Sequence, residues 1–290
     1  MQGNLCQRAG VLYVGRQSAD AWISAYDLDG RTLATHFRFR DEQAEYSAVG
    51  GLAMDGDHRI WVADTPASKL RAFTLFGQQV ATVGDDKDQM PDQPGLIGTP
   101  VDVLARGADA DLELWVASGG VRRHALHYLR PALGEATSLR PEGDPRAQFR
   151  RLRALAQAGE ALYALEGGAA RVQVFRGREH HYSLDLSGMV GVGSQPVTLE
   201  ALPDGRLVVA LDGMEGALVL LDQGGHLQRV LAEGGSDTGQ VQHPCGLAVA
   251  AEDELGDAGP LRIFCLDQDG DRVQVFSVDG SCYGAFPHLR

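Results

Sequence analysis

Apolar residues recur along this chain in short, almost unbroken runs. They read LYVGR ending at Arg16, IWVAD at Asp64, LWVAS at Ser118, LYALE at Glu166, VVALD at Asp212 and IFCLD at Asp267. Aligned on their last residue, the runs stand 48, 54, 48, 46 and 55 positions apart. Runs this short, bounded by turn residues, predict buried strands rather than helices. A second segment follows each: WISAY from Trp22, LRAF from Leu70, VRRH from Val121, VQVF from Val172, LVLL from Leu218 and VQVF from Val273. In RVQVF the valines 172 and 174 share one face and Gln173 takes the other, which is the period of a strand. Turn signals come next, at Asp29-Gly30, Gly224-Gly225 and Asp279-Gly280, and then another strand such as TLATHF or SCYGAF. Ahead of each apolar run lies one more: GNLCQ, GGLAMD, TPVDVL, RRLRAL, QPVTLE and HPCGLAV.

Each unit is thus predicted to be a four-stranded antiparallel meander. A lone meander cannot bury both faces, so neighbours must cover one another, and closing the series into a ring removes the bare ends. The expected fold is all-β: a six-bladed β-propeller, with units at about 1–41, 42–90, 91–140, 141–190, 191–237 and 238–290. A helical reading of the stretch from Ala147 loses to the blade pattern, which that stretch matches in register. The sequence leaves open whether the ring closes by pairing GNLCQ with the carboxy-terminal blade or leaves a gap there.

Composition agrees with frequent chain reversals: 37 of 290 residues are glycine, against an average near 7%. The net charge of −13 disfavours generic nucleic-acid binding. The charge is uneven, because residues 119–178 hold eleven arginines and five acids. No apolar run is long enough to cross a membrane as a helix. The opening residues do not form a secretory leader, and the cysteines 6, 245, 265 and 282 lack metal spacing. A cytoplasmic protein with reduced thiols, Cys265 buried among them, is the expectation.

The units GGLAMDGDHRIWVADTPASKLRAFTLFGQQVATVG and HPCGLAV…LRIFCLDQDGDRVQVFSVDG resemble the NHL repeat family. The family pattern is a Pro-x-Gly-containing first strand, a Tyr-Val-Ala-Asp second strand, a basic residue opening the third, then Asp-Gly. The unit around Trp115 departs from it with Ser118 in the acid position, and the first unit with Arg16. The resemblance implies a propeller. It does not choose among protein docking, RNA binding, lyase and lactonase roles. It also implies that Asp64, Glu166, Asp212 and Asp267 close strand-to-strand turns by accepting backbone N–H bonds, which is a structural role.

Candidate chemistry is sparse. Asp267, Asp269 and Asp271 alternate, but Gly270 precedes the third acid, unlike a calcium loop. The acidic loop at 85–92 reads as a solvated connector. His180 and His181 belong on an outer strand. Zinc in the channel of related lyases needs histidines from several lead-in loops, and here only His243 stands among Thr99, Gln195 and Ala48. No nucleophile or phosphate-loop motif occurs. No cofactor is predicted, with a channel-bound divalent ion as a minor alternative.

The expected function is therefore a non-enzymatic binding module that takes a protein or a small anionic ligand at the channel mouth. The expected site residues are Thr99, Asp102, Arg150, Arg151, Arg153, Gln195, Thr198 and His243, with Asp102, Arg153 and Thr198 expected to line the channel by strand alternation. Arg122, Arg123, Arg130, Arg140 and Arg146 are expected to form a basic patch. The alternatives are a metal-dependent lactonase- or lyase-like enzyme in the channel, and RNA binding through the arginine sector, which lacks an interleaved aromatic cluster.

Overall fold

The computed structural model describes residues 3–17, 20–40, 47–84, 97–119, 124–141, 148–189, 194–213, 216–250, 260–267 and 272–287. They form six four-stranded antiparallel sheets, each made from consecutive strands. Blade 1 holds β1 (Gly3–Arg8), β2 (Val11–Gln17), β3 (Ala21–Asp27) and β4 (Thr32–Phe39). Blade 2 holds β5 (Val49–Met54), β6 (Ile60–Asp64), β7 (Lys69–Phe73) and β8 (Gln79–Val83). Blade 3 holds β9 (Thr99–Arg106), β10 (Glu113–Gly119), β11 (Ala125–Arg130) and β12 (Glu135–Leu139). Blade 4 holds β13 (Leu152–Ala158), β14 (Ala161–Glu166), β15 (Arg171–Arg176) and β16 (Glu179–Asp185). Blade 5 holds β17 (Gln195–Ala201), β18 (Leu207–Asp212), β19 (Ala217–Leu221) and β20 (Leu227–Ala232). Blade 6 holds β21 (Pro244–Ala250), β22 (Arg262–Asp267), β23 (Arg272–Ser277) and β24 (Cys282–Pro287). Helix among the described residues is confined to short 3₁₀ turns such as Asp109–Asp111.

The apolar runs are the second strands, and each is sandwiched between neighbouring blades. Every residue of β6 is buried, whereas the outermost strand β8 alternates between exposed and half-buried. A strand covered on both faces must be continuously apolar, which explains the runs. The core is correspondingly divided into six clusters, each shared by two adjacent blades. Tyr13 and Ile23 pack on Val62 and Phe73, for example, and Leu126 and Trp115 on Leu155 and Phe175. Each blade thus buries its apolar faces against its neighbours, as in other stacked-repeat architectures. The predicted hairpin turns form as the glycines require, with φ of +84°, +83° and +87° at Gly30, Gly225 and Gly280.

Two expectations change. In blade 3 the third strand is ALHYLR (Ala125–Arg130), not VRRH; residues 121–123 lie outside the described residues. The stretch from His127 to Arg151, whose three prolines and length predict a long irregular loop, contains the end of β11 and all of β12 among its described residues. The strand signal there is weakened by polar residues on a half-exposed outer strand.

The ring closes without strand exchange. GNLCQ lies in β1, which pairs with β2 inside blade 1. The seam between blades 6 and 1 is held by side chains. Leu5, Leu12 and Tyr26 pack on Phe264 and Val273, Tyr26 contacts Phe286 at 5.5 Å between ring centroids, and Arg262 Nη1 donates to Leu28 O and Asp29 Oδ1.

Candidate functional site

The inner strands β1, β5, β9, β13, β17 and β21 surround a central channel. Their first residues define an upper face, because Thr99 pairs with Gly119 and Gln195 with Asp212. The recurring acids sit at this end and are tied down. Asp64 accepts the Ala48 N–H and the Arg71 Nε–H, the latter at 2.9 Å. Glu166 accepts the Arg150 N–H at 2.6 Å, Arg171 Nε–H at 2.7 Å and Gln173 Nε2–H at 2.9 Å. Asp267 accepts the N–H groups of Gln242 and His243 and the Arg272 guanidinium. All three carboxylates are fully buried. The acids therefore clamp the lead-in to their own blade's first strand, 16 to 25 residues upstream, rather than closing the adjacent turn. Asp212 differs: its carboxylate meets His243 Nδ1 of the next blade at 2.7 Å. Ser118, where the acid is missing, hydrogen-bonds to Ile97 O instead.

Five of the six inner strands carry a register shift just after they begin, at Gly50-Gly51, Val101, Arg153, Val197 and Cys245. Such a bulge adds one residue and re-aims its side chain. Four blades use glycine or an apolar residue there; blade 4 uses arginine. Arg153 consequently leaves the channel wall and runs beneath its own blade's 167–168 loop. That loop is tightly packed: a Cβ at Gly167 would stand 3.0 Å from both Arg153 Cγ and Pro196 O. Two residues before Arg153, Arg151 adopts left-handed backbone at φ +60°, uncommon for a side chain of its size. It is held there by N–H bonds from Gly167 to Arg151 O and from Gly168 to Arg150 O, both 3.0 Å. Arg151 Nη1 donates to Gln195 Oε1 at 2.9 Å.

Arg153 is half-buried and makes no hydrogen bond or ion pair among the described residues; its Nε–H is wholly shielded and unbonded. Burial, and then the charge of Arg151, lower its pKa, while Asp212 opposes them. His124, from the facing loop of blade 3, has a shielded Nδ1 without a partner. Burial and the charges of Arg153 and Arg151 lower its pKa, and Glu166 raises it.

Below the mouth the channel widens into a cavity of about 370 Å³. Asp102 and Thr198 line it, with Asn4, Cys6, Gln157 and Glu200 among their neighbours. Asp102 bridges blades, accepting N–H bonds from Leu155 at 2.7 Å, Val103 at 2.9 Å and Asn4 Nδ2 at 3.3 Å. Gly51 lets it approach, since a Cβ there would meet the Asp102 carboxylate and backbone. Burial pushes Asp102 up to about 7 against these three bonds. Burial pushes Glu200 up to about 8, opposed by the Ala201 N–H and reinforced by Asp102. Burial and then Glu200 push the Cys6 thiol up to about 12. Sequence reasoning missed Glu200 and Asn4; Glu200 lies two residues beyond Thr198 on the same strand face, so alternation had the means to find it.

The other sequence-derived residues scatter. Thr99, Arg150, Gln195 and His243 stand at the upper face. Arg130 lies at the opposite end of its strand, 3.9 Å from Asp111 and 4.0 Å from Glu135. Arg140 follows β12 at the upper, outer edge. Arg122, Arg123 and Arg146, the 85–92 loop, Asp269 and Asp271 lie outside the described residues. The described arginines thus divide between the two faces instead of forming one patch. Among the described residues no three His, Cys, Asp or Glu side chains converge as metal ligands.

No family model matches the chain, and no curated protein matches it. Solved structures do. A propeller in the nidogen/laminin complex aligns with a TM-score of 0.65 at 14% identity over 96% of this chain and 94% of that one. Virginiamycin B lyase from Staphylococcus aureus aligns with a TM-score of 0.63 at 11% identity, covering 100% and 85%. A gluconolactonase from Xanthomonas campestris aligns with a TM-score of 0.56 at 15% identity, covering 96% and 82%. At such identities the likeness is one of fold. The same ring carries both enzymes and a protein found in a complex, so function has to be argued from the site.

Proposed function

We propose that this chain is an NHL-type binding module, a stiff ring that offers its upper face around the channel mouth to a protein or a small anionic ligand. The observation that supports the reading most is the convergence there of polar side chains from blades 4, 5 and 6. Arg151 reaches Gln195 across one blade boundary and Asp212 reaches His243 across the next. Each contact is solvent-accessible, so neither is needed to fill the core. The lead-ins that carry Arg151 and His243 are fixed by the buried Glu166 and Asp267, which gives a preorganised surface and a low ordering cost on binding. The neighbour from the nidogen/laminin complex is a propeller crystallised with a protein partner, which agrees with this use of the fold.

The reading is tested by partner capture from the native host with three proteins: the wild type, an upper-face variant (Arg151→Glu with His243→Ala), and a lower-face control (Asp204→Ala with Arg206→Ala). The upper-face change is expected to weaken capture at least about tenfold, with the control unchanged. Equal capture by all three overturns the proposal.

A further inference from the structure

We infer that the upper face between blades 3, 4 and 5 is an oxyanion site in which the Arg153 guanidinium, flanked by Arg151 and His124, takes a carboxylate or phosphate group. The inference rests on the binding reading above and names the chemistry of what binds. Three independent features carry it.

The first is an incomplete partner set. The arginines of the third strands that lie beside the recurring acids are paired: Arg71 with Asp64, Arg171 with Glu166 and Arg272 with Asp267. Arg153 makes no such bond among the described residues, and Asp212, the acid whose charge acts on it, is engaged by His243 at 2.7 Å. A shielded Nε–H is costly to leave without an acceptor. The second is a broken repeat. The bulge position is glycine, valine or cysteine in the other blades that have one, and here alone it carries a charge. Because the ring stands with apolar residues at this position elsewhere, the arginine is not required for closure. The third is local strain beside it. Arg151 is held at φ +60° by a two-glycine loop, and its charge lies close enough to act on Arg153. Backbone strain of this kind concentrates at functional sites.

Guanidinium groups match carboxylate and phosphate oxygens through paired N–H donors. Arg153 supplies the charge, and Arg151 and His124 supply further donors at the rim. The groups facing the site are Arg151, Arg153 and His124, with Glu166 and Asp212 behind them. An oxyanion relieves the mutual repulsion of the cations without disturbing the acids, which already have their partners.

The test measures the melting temperature and the arginine Nε–H NMR signals of wild type, Arg153→Met and His124→Gln, first in a buffer free of oxyanions. Inorganic phosphate, citrate and a tetraglutamate peptide are then added in turn. The wild type is expected to gain melting temperature and shift the Arg153 signal, Arg153→Met to show neither response, and His124→Gln to bind at least about tenfold more weakly. A response to phosphate or citrate identifies a free small anion. A response to the peptide alone identifies an acidic segment of a partner. Without oxyanion, Arg153→Met is expected to melt at or above the wild-type temperature. If no ligand moves the wild type, or if wild type and Arg153→Met respond alike, the oxyanion site is overturned. Partner capture that is lost on the Arg151/His243 change yet kept by Arg153→Met would overturn this site and leave the binding module standing.

Discussion

The upper ends of blades 2 and 4 contain the same residue types and use them differently. In blade 2, Arg71 and Asp64 form a closed set: the guanidinium is bound by Asp64 and Gln79, and the carboxylate also holds the Ala48 N–H and the Ser47 hydroxyl. Blade 4 repeats that set with Glu166, Arg171 and Gln173, and then adds Arg153, which has no such bond among the described residues. A buried charge that serves folding is accompanied by everything it needs. A half-buried charge whose shielded Nε–H has no acceptor marks a place where a group from outside can complete the set.

The sharpest way to break the contrast is on the closed side. Asp267→Ala removes the acceptor of two lead-in N–H groups and of Arg272, and is expected to cost about 3–5 kcal/mol in urea unfolding. A loss below about 1 kcal/mol would mean the clamp behaves as a surface pair.

Gly167→Ala probes the boundary between the two arrangements, because the new methyl group would press on Arg153 and on the Pro196 carbonyl. It is expected to destabilise by about 1–3 kcal/mol. Combining it with Arg153→Met should recover only the share due to the side chain, since the Pro196 contact remains.

A smaller, pH-dependent effect is expected in the channel. Asp102 and Glu200 favour the protonated form in the folded state. Their contribution is full below their ordinary values of 3.8 and 4.5 and is lost as pH rises through about 7 and about 8. Glu200→Gln should therefore match the wild type in melting temperature near pH 4.5 and exceed it near pH 9, with the gap opening between. A gap that is widest at low pH would contradict the assignment. The smallest effect belongs to the ring seam: Arg262→Gln loses the bonds to Leu28 and to the exposed Asp29, and is expected to cost about 0.5–1 kcal/mol.

Much of this architecture was legible in the sequence because the blades repeat. The apolar second strands, the Asp-Gly hairpins and the first strands all emerge from period and spacing. In blade 3 the expected VRRH requires a link shorter than in the other blades, whereas Ser118 pairs with Ala125, seven residues on, against five for Asp64 to Lys69 and Glu166 to Arg171. The site was legible in part. Thr99, Arg151, Gln195 and His243 could be placed at the mouth because they open the first strands. The true partners of the acids were not visible, since they lie 16 to 25 residues upstream of the residue they bind. Simple alternation put Arg153 on the channel wall. The inserted bulge residue shifts the phase of the strand at that point, and no local sequence signal announces it.

The contrast on which the account depends can be measured with one substitution made at two positions. Arg71→Met and Arg153→Met remove a guanidinium from the same level of the ring and leave a side chain of similar length. In urea unfolding at neutral pH without oxyanions, Arg71→Met is expected to lose about 3–5 kcal/mol, and Arg153→Met to lose nothing or to gain stability. Comparable losses at both positions would contradict the account, because Arg153 would then have internal partners of its own.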